Sequence, residues 1–96
     1  MSYIAKNATD KHKRVLFFNH RKEINEQVYK TFESGEVNLD YVIIGTVGSL
    51  VRKLDTLPNF DVVLVDEAHH IKAKQYQTIL NYFNNATQLF FTGTPI

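Results

Sequence analysis

The sequence predicts a three-layer α/β/α fold around a parallel β-sheet. Four short apolar runs are continuous rather than alternating, and they are rich in β-branched and aromatic residues. Such runs are typical of strands that are buried on both faces. Segments with helical periodicity separate the runs, so the predicted order is α-β-α-β-α-β-α-β. Because parallel neighbours are joined by right-handed crossovers, this alternation places helices on both faces of one sheet.

Each predicted element has its own pattern. The predicted strands are residues 15–18, 41–44, 62–65 and 89–91. A first helix is predicted from about Tyr3 to Ala8, although its periodicity is weak. Each of the next three helices is predicted from a set of apolar residues at helical spacing, which would form one face. The sets are Ile24, Val28 and Phe32 for the second helix, Val47, Leu50, Val51 and Leu54 for the third, and Tyr76, Ile79, Leu80 and Phe83 for the fourth. Ser34-Gly35 predicts the end of the second helix, and Pro58 lies beyond the end of the third.

Length and composition predict one small globular domain over residues 1–96. The hydrophobic fraction is 44% and the formal net charge is +1, so attraction to a polyanion would have to come from local clusters of cations. The absence of cysteine excludes disulfides and thiolate metal sites. No apolar stretch approaches the length of a membrane span. We therefore expect a cytoplasmic protein with no membrane contact.

The predicted strand 62–65 ends in two adjacent carboxylates, Asp66 and Glu67. An acidic pair can be merely a polar strand end followed by a helix cap. Four apolar residues precede this pair, however, and in parallel sheets functional groups lie just past the carboxyl ends of strands. Mg²⁺ prefers oxygen ligands and keeps most of its waters, so a single carboxylate can hold it. The pattern predicts that Asp66 binds Mg²⁺ and that Glu67 orients a water toward a γ-phosphate. Polar residues also follow the other predicted strands, at Asn19, Thr46 and Thr92.

The sequence Asp66-Glu67-Ala68-His69 resembles motif II of superfamily 2 helicases and translocases, which include the DEAD and DEAH groups. Residues 17–24 with Gln27 resemble motif Ia, residues 44–50 resemble motif Ib, and residues 91–95, with Thr-Gly-Thr-Pro, resemble motif III. The form of motif Ia is similar to the branch that includes restriction-enzyme motor subunits and phage helicases. Singly, only motif II is fairly specific, but four motifs in the family order argue against coincidence.

The resemblance implies the first RecA-like domain of an ATP-dependent DNA helicase or translocase. It also implies the strand order 2-1-3-4, with ATP and Mg²⁺ as cofactors of the parent protein and a second RecA-like domain as its partner. In the family His69 acts as a coupling residue that hydrogen-bonds toward motif III. Thr92, Gly93 and Thr94 would then sense the nucleotide state and relay it to the nucleic-acid side.

One expected motif is absent from these 96 residues, because no G-x-x-x-x-G-K-[ST] sequence occurs. In the family this phosphate loop comes immediately before the first helix predicted here. We therefore expect a truncated domain that binds neither ATP nor Mg²⁺ tightly and has no ATPase activity of its own. Whether the chain counts as an enzyme stays open.

Two polar clusters follow predicted strands and open predicted helices: His20, Arg21 and Lys22, and Thr46 with Ser49. A solvated helix start is the simpler interpretation. Helix N-termini also suit phosphate oxygens, and these residue types are common contacts of a nucleic-acid backbone. We expect weak, sequence-independent backbone contacts, to DNA rather than RNA by the resemblance.

Three other interpretations of the sequence differ from this one. The chain could be a non-catalytic RecA-like scaffold that binds nucleic acid or a protein partner. A flavodoxin-like signalling domain would need an acidic cluster after the first strand, where Asn19-His20-Arg21 stands instead. A transition-metal site at His69 and His70 is disfavoured, since neighbours in sequence rarely converge on one ion. The resemblance also implies that residues 88–92 become an edge strand when the phosphate-loop strand is missing. These residues are apolar and contain no charge or proline, which predicts a homodimer through this edge or aggregation.

Overall fold

The computed structural model describes residues 2–66 and 73–91. The described helices are α1 (Ser2–Asp10), α2 (Lys22–Ser34), α3 (Val47–Val51) and α4 (Lys74–Tyr82), and the strands are β1 (Val15–Asn19), β2 (Val42–Thr46), β3 (Val62–Val65) and β4 (Thr87–Phe90). Short 3-10 turns precede β2 and follow α3. The alternation of helix and strand predicted from the sequence is confirmed over these residues.

The four strands form one parallel sheet in the order β2-β1-β3-β4, as predicted. The register aligns the carboxyl ends of β1, β2 and β3. Asn19 pairs with Thr46, and Phe18 pairs with both Gly45 and Val65. The ends of β1, β2 and β3 therefore meet along one edge of the sheet.

Strand β1 is buried along its whole length, and its side chains serve two separate cores. Phe17 packs with α1 and α2, with its ring edge-on to Phe32 at 6.2 Å between centroids. Phe18 packs with α3 and α4, 5.4 Å from the ring of Tyr76. Because successive strand residues point to opposite faces, a continuous apolar run fills both layers. The three-layer prediction is thus confirmed.

Most element boundaries differ from the predicted ones by one or two residues, and β2 runs from Val42 to Thr46 because Tyr41 lies in the preceding 3-10 turn. The differences at α3 and β4 have clear physical reasons. Helix α3 ends at Val51, and Leu54 lies in the following 3-10 turn, although it still packs on the same core. The chain tightens there, because the Lys53 amide donates to the Leu50 carbonyl three residues back. Strand β4 begins at Thr87, two residues before the apolar run, because the Thr87 amide already donates to the Asp61 carbonyl at 2.9 Å.

The predicted stop of α2 is confirmed, with Gly35 as the residue that follows the helix. The residue with a left-handed backbone is nevertheless Glu36, whose φ is 62°. The Val37 amide then donates to the Phe32 carbonyl at 3.0 Å, which satisfies one of the free carbonyls at the helix end. Within residues 2–66 and 73–91, no helix is long and apolar enough to cross a membrane.

Candidate functional site at the carboxyl edge of the sheet

Asp66 and Asn19 are neighbours at the carboxyl edge of the sheet. Asp66 follows the last residue of β3, and its amide donates to the Phe18 carbonyl at 3.2 Å, which continues the pairing with β1. Asp66 is 3% exposed and Asn19 is fully buried. Burying a carboxylate is costly unless polar groups surround it. The burial of Asp66 therefore favours a built site over a solvated strand end.

The side chain of Asn19 shapes the turn between β1 and α2. Its Oδ1 accepts a hydrogen bond from the Arg21 amide at 2.8 Å, the pattern of an Asx turn. Its Nδ2 is buried and has no hydrogen-bond partner among the described residues. Asn19 thus fixes where Arg21 leaves the sheet and keeps one donor at the edge beside Asp66. The sequence places Asn19 at a strand end but assigns it no role; an Asn two residues before the N-cap of a helix is the signal that predicts the turn.

The basic cluster of His20, Arg21 and Lys22 is exposed at the start of α2. Arg21 is the N-cap residue and has an extended backbone, and no side-chain bond caps the helix there. The Tyr76 hydroxyl lies 3.4 Å from His20 Nδ1, which connects α4 to this turn. Arg21 and Lys22 thus lie at a helix start that faces solvent, as the sequence predicts.

Thr46 and Ser49 lie at the start of α3. The Thr46 Oγ1 accepts a hydrogen bond from the Ser49 amide at 3.3 Å, so Thr46 caps the helix. Both residues are half-buried. Because Thr46 pairs in register with Asn19, the starts of α2 and α3 are adjacent at this edge. The structure thus brings together both groups of residues that the sequence marks for nucleic-acid contact.

The remaining candidate residues lie outside the described parts of the chain. These are Glu67, His69, Thr92, Gly93 and Thr94, together with His70. Phe91 is the last described residue before Thr92, and its amide donates to the Val65 carbonyl at 2.9 Å. Of the predicted magnesium and water-orienting pair, only Asp66 can be placed.

Asp66 suits a hard cation with few protein ligands. Across residues 2–66 and 73–91, no group of three or more His, Cys, Asp or Glu side chains could hold a metal ion. A single buried carboxylate at a strand end fits Mg²⁺, which takes oxygen ligands and keeps several of its waters. The described residues are therefore compatible with water-rich Mg²⁺ coordination at Asp66.

The fold matches that of a known helicase. The UvsW helicase from bacteriophage T4 has a solved structure that superposes on 97% of this chain and 41% of its own, with a TM-score of 0.73 and 17% sequence identity. The parallel sheet, its strand order and its flanking helices match those of a RecA-like domain in that helicase.

A family model described as "Type III restriction enzyme, res subunit" matches residues 36–96, and the chain belongs to that family. A "51.5 kDa protein" of a Lactococcus phage (isolate 7-9) is 40% identical over 95 residues, which are 99% of this chain and 21% of that protein. The "Putative ATP-dependent helicase IRC3" of Saccharomyces cerevisiae is 29% identical, over 75% of this chain and 13% of its own. The chain thus spans about a fifth or less of the length of these two relatives.

Proposed function

We propose that this chain supplies motifs Ia, Ib, II and III of the first RecA-like domain of an ATP-dependent DNA helicase or translocase. The observation that carries the proposal is the buried carboxylate of Asp66 at the end of a central parallel strand, beside the buried amide of Asn19. Family membership and the helicase fold support it. The gene sequence upstream of Met1 tests it: an in-frame phosphate loop there is the expected finding for a motor domain.

In the complete motor, Asp66 would hold a hydrated Mg²⁺ and Glu67 would orient the attacking water toward the γ-phosphate. Bound Mg²⁺ would neutralise charge on the phosphates of ATP. His69 would couple this site to Thr92, Gly93 and Thr94. Closure against a second RecA-like domain would then alternate with opening as ATP is bound and hydrolysed.

The DNA track would run over the starts of α2 and α3. Arg21 and Lys22 supply cations, and the Asx turn at Asn19 holds the Arg21 backbone in place. Thr46, Ser49 and His20 would add hydrogen bonds to phosphate oxygens. Contacts of this kind position a single strand without reading its sequence, which is what a translocase requires.

These 96 residues alone should neither bind ATP tightly nor hydrolyse it. The amides and the Lys of a phosphate loop dominate triphosphate recognition, and the sequence contains no such loop. Calorimetric titration with Mg-ATP should show no submillimolar site. A stoichiometric site with micromolar affinity would contradict this part of the proposal.

Binding of single-stranded DNA tests the track. Fluorescence anisotropy should show weak binding that falls steeply with salt and does not depend on sequence, since phosphate contacts release counterions. Arg21→Ala and Lys22→Ala should each weaken binding. Lys13→Ala is the matched control, because Lys13 is exposed near the opposite, amino end of the sheet. Binding that survives high salt, or is unaltered by both substitutions, would count against the track.

A second candidate is a non-catalytic RecA-like module that binds nucleic acid or a protein partner. The observation that favours it is the three-layer packing of residues 2–66 and 73–91 in a sequence that contains no phosphate loop. DNA binding without ATP binding, together with an upstream gene sequence that encodes no phosphate loop, would select this candidate.

A further inference from the structure

A groove of about 450 Å³ lies between the outer face of α2 and the edge strand β2. It begins at Lys22, which is also the last cation of the proposed DNA track, and it runs along the helix to Lys30. The groove is lined by Lys22, Asn25, Glu26, Tyr29, Lys30 and Ile44. None of these residues except Lys22 has a role in the proposed function.

Tyr29 presents a large aromatic ring to this groove. It is 49% exposed, although it lies in the middle of a helix whose apolar face is otherwise buried. An exposed ring beside a nucleic-acid track is a surface on which a base can stack, and such stacking tolerates any sequence because every base has a π-face.

Asn25 and Tyr29 are four residues apart on α2, and both line the groove, so their side chains are neighbours on one helix face. The Asn25 Oδ1 is buried and closed to a ligand, so recognition of a base in this groove rests on the ring of Tyr29.

The charges around the ring suit the backbone that would carry such a base. Lys22 and Lys30 are eight residues apart on α2, about 12 Å along the helix axis, and they flank Asn25 and Tyr29. Glu26 lies between the two cations, so a phosphate is favoured at either end of the groove and an amino group at its centre.

We propose that this groove binds one unstacked nucleobase of single-stranded DNA. The base stacks on Tyr29, while Lys22 and Lys30 contact the flanking phosphates. This inference rests on the proposed function and extends its backbone track by a base contact.

The test compares a short oligodeoxycytidine with an abasic strand of the same length at low salt, measured by fluorescence anisotropy. Tyr29→Ala should weaken binding of the cytidine strand by at least about fivefold, the lower end of the range for one base–aromatic stack, and leave the abasic strand unchanged. Tyr29→Phe should retain binding, because the ring remains. Tyr82→Ala is the matched control: Tyr82 is 50% exposed on α4, across the sheet, and its removal should change neither affinity.

In ¹H–¹⁵N correlation spectra, the Asn25 side-chain amide should shift with the cytidine strand and not with the abasic one. Circular dichroism of each variant confirms that the fold is retained.

The outcomes separate this inference from the proposed function. If Arg21→Ala weakens binding of both strands and Tyr29→Ala weakens neither, the groove is not a base site and the backbone track stands. If the chain binds neither strand, the track and the base site are both wrong.

Discussion

The two edge strands of the described sheet, β2 and β4, are parallel strands of similar length in different surroundings. Every residue of β2 is half-buried, and the groove beside it carries charged side chains of α2. Both ends of β4 are exposed, including Phe90 at 47%, and residues 87–91 contain no charge and no proline. Charged side chains discourage another chain from pairing with an edge. The β2 edge is therefore protected by its neighbouring helix, whereas β4 offers its backbone to another strand.

Each edge strand also bonds to one end of a helix, and the two helices, α3 and α4, lie on the same face of the sheet. Thr46, the last residue of β2, caps the start of α3. Gln88 of β4 serves the other end of a helix: its Nε2 donates to the carbonyls of Leu80 and Phe83, at 2.9 and 3.3 Å, where α4 ends. Both edges thus contribute to the core through polar bonds that apolar patterning does not reveal.

The largest expected effect concerns assembly through β4. The amides of Thr87 and Phe91 donate to β3, so those of Gln88 and Phe90 face the open edge, since alternate residues of a strand bond to opposite neighbours. We predict a two-fold homodimer in which this edge pairs with its own copy. Phe90→Lys should raise the dissociation constant at least about tenfold, because it places a charge where the dimer would bury an aromatic ring that is exposed in the single chain.

Light scattering over a wide concentration range measures this effect. Tyr82→Lys is the control, since it adds the same charge at a similarly exposed aromatic on α4 and should leave the dimer intact. Leu89 is a poorer test site, because it packs partly against the core between the sheet and α2. A monomer at high concentration in the unmodified chain would show that β4 is not an assembly edge.

The next effect concerns stability at the β2 edge. A Cβ added at Gly45 would lie 3.0 Å from Cδ2 and Cγ of Leu50, which is itself buried. Gly45→Ala should therefore lower the free energy of unfolding by about 1–3 kcal/mol, the usual cost of overpacking. Gly48→Ala is the matched control, because a Cβ there meets nothing within 4 Å among the described residues. Since Gly48 lies inside α3, its substitution should stabilise by about 0.5–1 kcal/mol. Urea unfolding measures both, and equal effects would mean that Leu50 moves aside without cost.

The sequence predicts the fold more fully than the site because the two depend on different information. Continuous apolar runs, such as residues 15–18, identify buried strands locally, and the resemblance supplies the strand order. The unsatisfied amides of Asn19 and Asn25 depend on which chains pass nearby, which spacing along the sequence does not encode. Apolar patterning does not predict the start of β4 at Thr87 for the same reason. Thr87 and Gln88 are polar, but their pairing with β3 makes them part of the strand.

A smaller effect is expected at Gln88. Gln88→Ala removes both hydrogen bonds to the last carbonyls of α4, and it should lower the free energy of unfolding by about 1–2 kcal/mol. Gln75→Ala, on an exposed position of α4, should change stability by less than about 0.5 kcal/mol. Thermal and urea unfolding compare the two variants. If Gln88→Ala were as mild as its control, water would replace its bonds, and β4 would be less firmly joined to α4 than the distances indicate.

The smallest effect is expected at Thr46, the corresponding polar residue of β2. Thr46→Ala removes the cap of α3, and it should lower the free energy of unfolding by about 0.5–1 kcal/mol, the low end for an N-cap, because the bond is long at 3.3 Å. Thr46→Ser keeps the hydroxyl and should retain stability.

The same pair of variants separates the capping role of the Thr46 hydroxyl from its proposed phosphate contact. If the Thr46 hydroxyl serves only the helix, Thr46→Ala lowers stability but leaves DNA affinity unchanged at temperatures where the variant is folded. If it also contacts a phosphate, as we propose, affinity falls in Thr46→Ala and is kept in Thr46→Ser. A loss of affinity in both variants would instead implicate the methyl group of Thr46, and the hydroxyl would have no part in the track.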